Sequence, residues 1–465
     1  MSVLLSASGE PITDKRQLVE YFARGMRPKA EWLIGVEHEK FPYHLATLKP
    51  VSYDEPNGIR ALLLAMEGYG WKPVMGDTTI IGLTRGRAAI SLEPGGQVEL
   101  AGAPLNNLHE VAAEVDEHLV EACEIADKLG IGFLGMGFHP SATRDEIPWM
   151  PKQRYRIMRN YMPKKGTLGL DMMLRTCTVQ ANLDYASESD AVKKMRVALA
   201  LQPIATALFA SSPFATGKPN GYVSYRMHMW EDTDPDRCGA LPLVFEDGFG
   251  FERYAEYALD VPMYFVWREG RYIDCAGQSF RDFLKGKLPA LPGELPTITD
   301  WANHLTTLFP DVRLKNVIEV RGADCGSVEM MTALPAFWVG LLYDATALDG
   351  AWELVKSWTP EERAQLHAEV PRLGLNAEID GRKALEVASA AVTLAQQGLR
   401  RRANRLHGGA DETRYLDALF AITESGASRA DQLLMQFQNF KNFTMQNVFE
   451  ACRLQPPPAG GVVGS

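Results

Sequence analysis

Between Arg175 and Asp184 the chain alternates without a break, with Thr176, Thr178, Gln180 and Asn182 at one parity and Cys177, Val179, Ala181 and Leu183 at the other. Side chains two apart share one face of an extended strand, so this segment reads as a strand with a polar and an apolar face. Leu33–Phe41, Ala88–Glu93, Gln97–Ala101, Pro262–Arg268 and Lys315–Arg321 alternate in the same way, with long helical segments at Leu108–Leu129 and Glu188–Leu208 between them. Half-polar strands pair into a mostly antiparallel sheet, with helices against the apolar side and water against the polar side. From about Pro335 the texture changes to nearly continuous helical periodicity. Thr359-Pro360-Glu361-Glu362 there supplies a helix start, with Thr as cap and Pro in the first turn. The expected organisation is an α+β region over 1–334, a helical C-terminal region over 335–455 packed on it, and a flexible tail over 456–465.

The 465 residues can bury a large core. A net charge of −10 speaks against nucleic acid as a partner, because such binders carry a basic face. The longest apolar stretches, around Ala333–Leu342 and Val197–Ser211, fall short of the roughly 20 residues a spanning helix needs, so no membrane is expected. Glu10 and Asp14 stand where a secretory leader would have its apolar stretch. Six scattered cysteines without a C-x-x-C pair read as reduced, mostly buried thiols.

Carboxylates recur on the polar parity. In Gly35-Val36-Glu37-His38-Glu39-Lys40-Phe41, Glu37 and Glu39 share a face and repel each other. A solvated charged face accounts for that, and so does a hard divalent cation, which takes oxygen ligands. In Ser91-Leu92-Glu93-Pro94-Gly95-Gly96-Gln97-Val98-Glu99-Leu100, Glu93 ends one strand and Glu99 lies on the next between apolar neighbours. A half-buried glutamate there is costly unless it is paired or coordinated, which favours the cation. Glu319 and Arg321 share a face in Asn316–Gly322. They read either as a salt bridge or as a cation ligand beside a phosphate-binding arginine.

Other motifs fail on context. Gly130-Ile131-Gly132-Phe133-Leu134-Gly135 matches the dinucleotide fingerprint by letter but follows a helix and is itself strand-like. His38-Glu39 opens a zinc-protease pattern whose second histidine position is Pro42. There is no Gly-rich loop ending in Gly-Lys-Ser/Thr, so any ATP site is not a P-loop.

Together the strand segments, with Thr176-Cys177-Thr178-Val179-Gln180, Gly217-Lys218-Pro219-Asn220-Gly221, Trp230-Glu231-Asp232-Thr233-Asp234, Arg321-Gly322-Ala323-Asp324 and Ala336–Asp344, resemble the plant-type glutamate–cysteine ligases, also found in proteobacteria. The resemblance runs from about Glu31 to Phe449 and rests on the ordered set rather than on any one stretch. It implies a fold similar to glutamine synthetase and the guanidino kinases, a curved antiparallel sheet forming an active-site basin with helices outside. It implies ATP-dependent ligation of the glutamate γ-carboxylate to the cysteine amine through a γ-glutamyl phosphate, the first step of glutathione biosynthesis. The alternatives are a ligase of the same fold using another amine, or a non-catalytic relative that binds an amino acid.

By resemblance, Glu37, Glu39, Glu93, Glu99, Gln180 and Glu319 would bind Mg2+, and Arg321 would be catalytic and meet the ATP phosphates. Arg154, Thr176, Thr178 and Arg226 would bind substrate. ATP, L-glutamate and L-cysteine are the implied partners, with a homodimer left open. Plant members carry a regulatory cysteine pair across a hairpin. Cys275 matches the first position but Ala290 stands at the second, so that disulfide cannot form here. The implied location is a bacterial cytoplasm.

Overall fold

A computed structural model describes residues 9–456 apart from Asp77, His407, Gly408 and Lys441; the expected tail beyond Pro456 lies outside the described residues. Nine strands form the central sheet: β1 (Ile34–His44), β2 (Lys72–Gly76), β3 (Thr79–Arg85), β4 (Ala88–Leu92), β5 (Val98–Ala101), β6 (Ile131–Leu134), β7 (Thr178–Leu183), β8 (Val312–Leu314) and β9 (Ile318–Asp324). Their order is β8-β9-β7-β1-β5-β4-β3-β2, with β6 paired to the far end of β1, and every pairing is antiparallel. This is the half-wet antiparallel sheet that the alternation calls for.

The two faces of β1 show how the sheet is used. Val36, His38 and Lys40 are buried behind it, whereas Glu37 and Glu39 line a cavity in front. The helices α1 (Leu108–Leu129), α4 (Glu188–Leu208) and α7 (Val328–Leu342) cover the apolar side, with α2 (Gln153–Tyr161), α3 (Gly169–Arg175), α5 (Tyr225–Glu231) and α6 (Ile298–Leu305) placed around the front. Asn107 caps α1 by accepting from the Glu110 N–H, and Gly130 ends it at φ 73°. The Gly130–Gly135 stretch is thus a helix end followed by a strand, the reverse of a dinucleotide-binding turn.

Three boundaries differ from those expected. The first C-terminal helix starts at Val328 and runs through Pro335, which lies in its interior among wholly buried neighbours. Packing there outweighs the lost backbone hydrogen bond. The expected strand Lys315–Arg321 is a hairpin, with β8 before and β9 after a turn at residues 315–317. The strand expected from Arg175 begins at Thr178, because Arg175 ends α3. Among the described residues no single helix is long and apolar enough to cross a membrane; the one bent pair that passes by composition, Val328–Leu342 with Ala345–Val355, has its first helix almost wholly buried.

Candidate active site

The polar face of the sheet floors a cavity of 270 Å³, and a smaller chamber of 90 Å³ opens beside it. Glu39, Glu93, Arg154, Gln180, Phe309 and Arg321 line both. All eleven residues singled out from the sequence fall on one chamber or the other. Glu37, Glu99 and Glu319 line the larger, and Thr176, Thr178 and Arg226 the smaller.

Register decides which carboxylates meet. Glu39 lies directly opposite Glu99 across β1 and β5, and Glu37 lies opposite Gln180 across β1 and β7. Like charges facing across antiparallel strands destabilise a sheet. Burial pushes the Glu99 carboxyl up to about 8, with Glu37 and Glu93 adding to it. Burial, then Glu93 and Glu99, also push Glu39 well above the usual carboxylate range. The Thr178 N–H, at 3.0 Å, only partly offsets this. The turn carrying Glu93 is fixed from beneath. Gln97 accepts from the Gly95 N–H and donates to the Thr176 carbonyl at 2.8 Å, and a Cβ at Gly95 would stand 2.3 Å from the Leu174 carbonyl oxygen.

The other end of the basin has the opposite balance. Arg313, on β8 and paired with Glu319 on β9, forks onto its carboxylate at 2.6 and 2.9 Å. Lys315 at 3.2 Å and Arg321 at 2.9 Å complete a ring of three cations. Burial alone would raise the Glu319 carboxyl, but these cations outweigh it and hold it well below the usual range. Arg321 also donates to Gln180 at 2.7 Å. Sequence reasoning missed Arg313 and Lys315, because reading the hairpin as one strand hid the strand that faces Glu319.

The resemblance implied one magnesium-binding set. The structure brings its six members to one cavity, yet among the described residues no three acidic, His or Cys side chains are drawn together as a metal cluster. Glu319 is occupied by its cations. Glu39, Glu93 and Glu99 repel one another, and their oxygens suit a hard divalent ion.

In the smaller chamber the unmet groups are donors. Arg226 gives Nη2 to the Arg321 carbonyl at 2.9 Å, while its Nε and Nη1 are buried without a partner. Arg154 Nε and Trp230 Nε1 are buried and unpartnered as well. The Ser224 side chain caps α5, and Asp324 holds Ser212 at 2.6 Å and Ser224 at 2.8 Å. Ser212 in turn accepts from the Arg226 N–H. Thr176 and Thr178 both face the chamber, yet each donates its hydroxyl proton to a backbone carbonyl, of Met172 and of Ala323 respectively. They therefore have only acceptor lone pairs for a ligand.

A model of glutamate–cysteine ligase family 2 (GCS2) matches residues 33–450. The chain belongs to that family. It is 53% identical over 442 residues to the chloroplastic glutamate–cysteine ligase of Brassica juncea, covering 95% of this chain and 84% of that one. It is 52% identical over 444 residues to the chloroplastic enzyme of Solanum lycopersicum, covering 95% and 83%. In three dimensions it resembles a glutamate–cysteine ligase of Francisella tularensis crystallised with AMP. The TM-score is 0.54 at 11% identity over 88% of this chain and 85% of that one, a likeness of fold. The expected bacterial cytoplasmic location is overturned here. The curated relatives are chloroplastic enzymes of plants, and the acidic residues early in the chain carry no information about compartment.

Proposed function

We propose that the basin ligates the L-glutamate γ-carboxylate to the amine of L-cysteine at the expense of ATP, the first step of glutathione biosynthesis, with glutamate in the smaller chamber. The observation that carries this is the set of unpartnered buried donors, Arg154 Nε, Arg226 Nε and Nη1, and Trp230 Nε1, in an enclosed space opening onto carboxylates that repel one another. Buried donors without acceptors are costly, and a substrate carboxylate satisfies them. The acceptor-only hydroxyls of Thr176 and Thr178 suit its ammonium group.

A carboxylate is a poor electrophile until one oxygen becomes a leaving group. A γ-carboxylate oxygen attacks the γ-phosphorus of ATP, and the bond to the bridging oxygen breaks to release ADP. The amine nitrogen then attacks the acyl carbon, the amine proton is lost, and phosphate leaves with the glutamate oxygen. Glu39, Glu93 and Glu99 would hold magnesium, which when bound neutralises phosphate charge. Arg321, which lines the cavity, stabilises the charge that develops on the transferred phosphoryl group.

Two measurements test this. With the γ-carboxylate labelled with oxygen-18, one label should appear in phosphate during turnover, and its absence would exclude the acyl phosphate. ADP release against a panel of amino-acid acceptors should require glutamate and favour cysteine. A preference for another amine would keep the chemistry and reassign the acceptor.

A further inference from the structure

The cation-rich end of the basin contains one arginine with four of its five N–H groups committed within the protein. Arg313 commits Nε and Nη2 to Glu319, at 2.6 and 2.9 Å, and Nη1 to the carbonyls of Thr306 and Leu308, at 2.8 and 2.7 Å. Those carbonyls lie at and just beyond the C-terminal end of α6, where backbone acceptors lack intrahelical partners. The guanidinium is thus clamped between a helix end and a neighbouring strand and is only 5% exposed. Arg321 differs. It gives Nη1 to both Glu319 and Gln180, and its Cζ lies 5.8 Å from the centroid of the Phe309 ring, which lines both chambers.

We propose that Arg313 is a positioning residue for nucleotide binding: by locking Glu319 against the end of α6 it sets the orientation of Arg321, which meets the phosphates. This rests on the reading of Arg321 given above. A buried arginine–carboxylate fork gains little net stability over apolar packing, because desolvation offsets the attraction. Its effect here is geometric: one Glu319 oxygen is shared between a fixed arginine and a ligand-facing one. Lysine cannot reproduce that fork with a single point charge.

The test measures binding without turnover, using a non-hydrolysable ATP analogue and, separately, glutamate. Arg313→Lys should weaken analogue binding about tenfold, the scale of one charge-assisted hydrogen bond, with glutamate affinity within about twofold. In an Arg321→Lys background the same change should have little further effect, since contacts acting in series are not additive. Unchanged analogue affinity, equal loss for glutamate, or full additivity would overturn the proposal; additivity would mean that Arg313 meets phosphate directly. If Arg321→Lys alone leaves analogue affinity intact, the phosphate reading of Arg321 falls and takes the proposal with it. Should Arg313→Lys prevent folding, Glu319→Asp withdraws the carboxylate by one methylene while leaving all three cations. It should reproduce the loss, and normal analogue affinity in it would also overturn the proposal.

Discussion

Glu99 and Glu319 are the same residue type, on strands of one sheet, buried to 3% and 1% exposure and facing one cavity. Their neighbours set them apart. Glu99 is pushed up to about 8 by burial, with Glu37 and Glu93 adding to it, whereas Glu319 sits among Arg313, Lys315 and Arg321 and is held far down. Burial is common to both, so the partner charges decide. One end of the basin therefore gathers carboxylates that repel one another and the other gathers cations around a single carboxylate, an arrangement suited to a cation at the first and a phosphate at the second.

Removing charge should affect the two ends oppositely. Glu319→Gln leaves the buried Arg313 and the partly buried Lys315 and Arg321 without their shared counter-ion and should cost about 3–5 kcal/mol of stability, read by denaturant unfolding. A loss below about 1 kcal/mol would mean that the cation ring is solvated and the contrast false. Glu99→Gln replaces a carboxyl that holds its proton up to about 8 with a neutral amide of the same size, so the metal-free protein should be no less stable. Ligation should nevertheless fall by about 10²–10³-fold, the usual effect of deleting one preorganised electrostatic group. Near-normal turnover at saturating magnesium would remove Glu99 from the cation site.

The acid end should also respond to pH. The folded Glu99 carboxyl holds a proton up to about 8, above an ordinary unfolded value near 4.5. Its contribution to stability is thus complete below the unfolded value and is lost as pH rises through about 8. A bound cation must displace that proton, so magnesium affinity should climb between pH 6 and 8, by at most about tenfold per unit for each proton released. Calorimetry in buffers of different ionisation enthalpy reads the release directly. Affinity that is flat with pH would show the carboxylates already ionised.

The smallest effect is expected away from both ends. Cys275 is a buried free thiol whose Sγ donates to the Ile273 carbonyl at 3.5 Å, and the Ala290 N–H donates to Gln278 Oε1 at 3.1 Å. Cys275→Ser should cost about 1 kcal/mol and leave the response of activity to dithiothreitol unchanged. A reversible, several-fold oxidant response abolished by this substitution would implicate a partner cysteine elsewhere.

Much of the site was legible because strand chemistry repeats every two residues. Glu37 with Glu39, and Thr178 with Gln180 and Asn182, could be assigned to one face without a fold, and all line the cavity or reach onto it through the 3.2 Å bond from Asn182 to Glu37. Trp230 stood in a stretch that carried the family resemblance, yet an indole gives no sign in the sequence of whether its N–H is satisfied. Arg313 was hidden by a misplaced turn: once 315–317 bend, a residue read as lying before the strand comes to face Glu319.

By itself the sequence determined the half-wet antiparallel sheet, the helical C-terminal texture and the face on which each candidate would lie, since these follow from periodicity along one segment. The tertiary structure alone decided which charges meet. Glu39 is opposed by a residue 60 positions away because β5 lies beside β1, and Arg321 holds Gln180 across 141 positions because β9 lies beside β7. Coulomb energy depends on distance in space and on the local dielectric, and neither can be read from one segment.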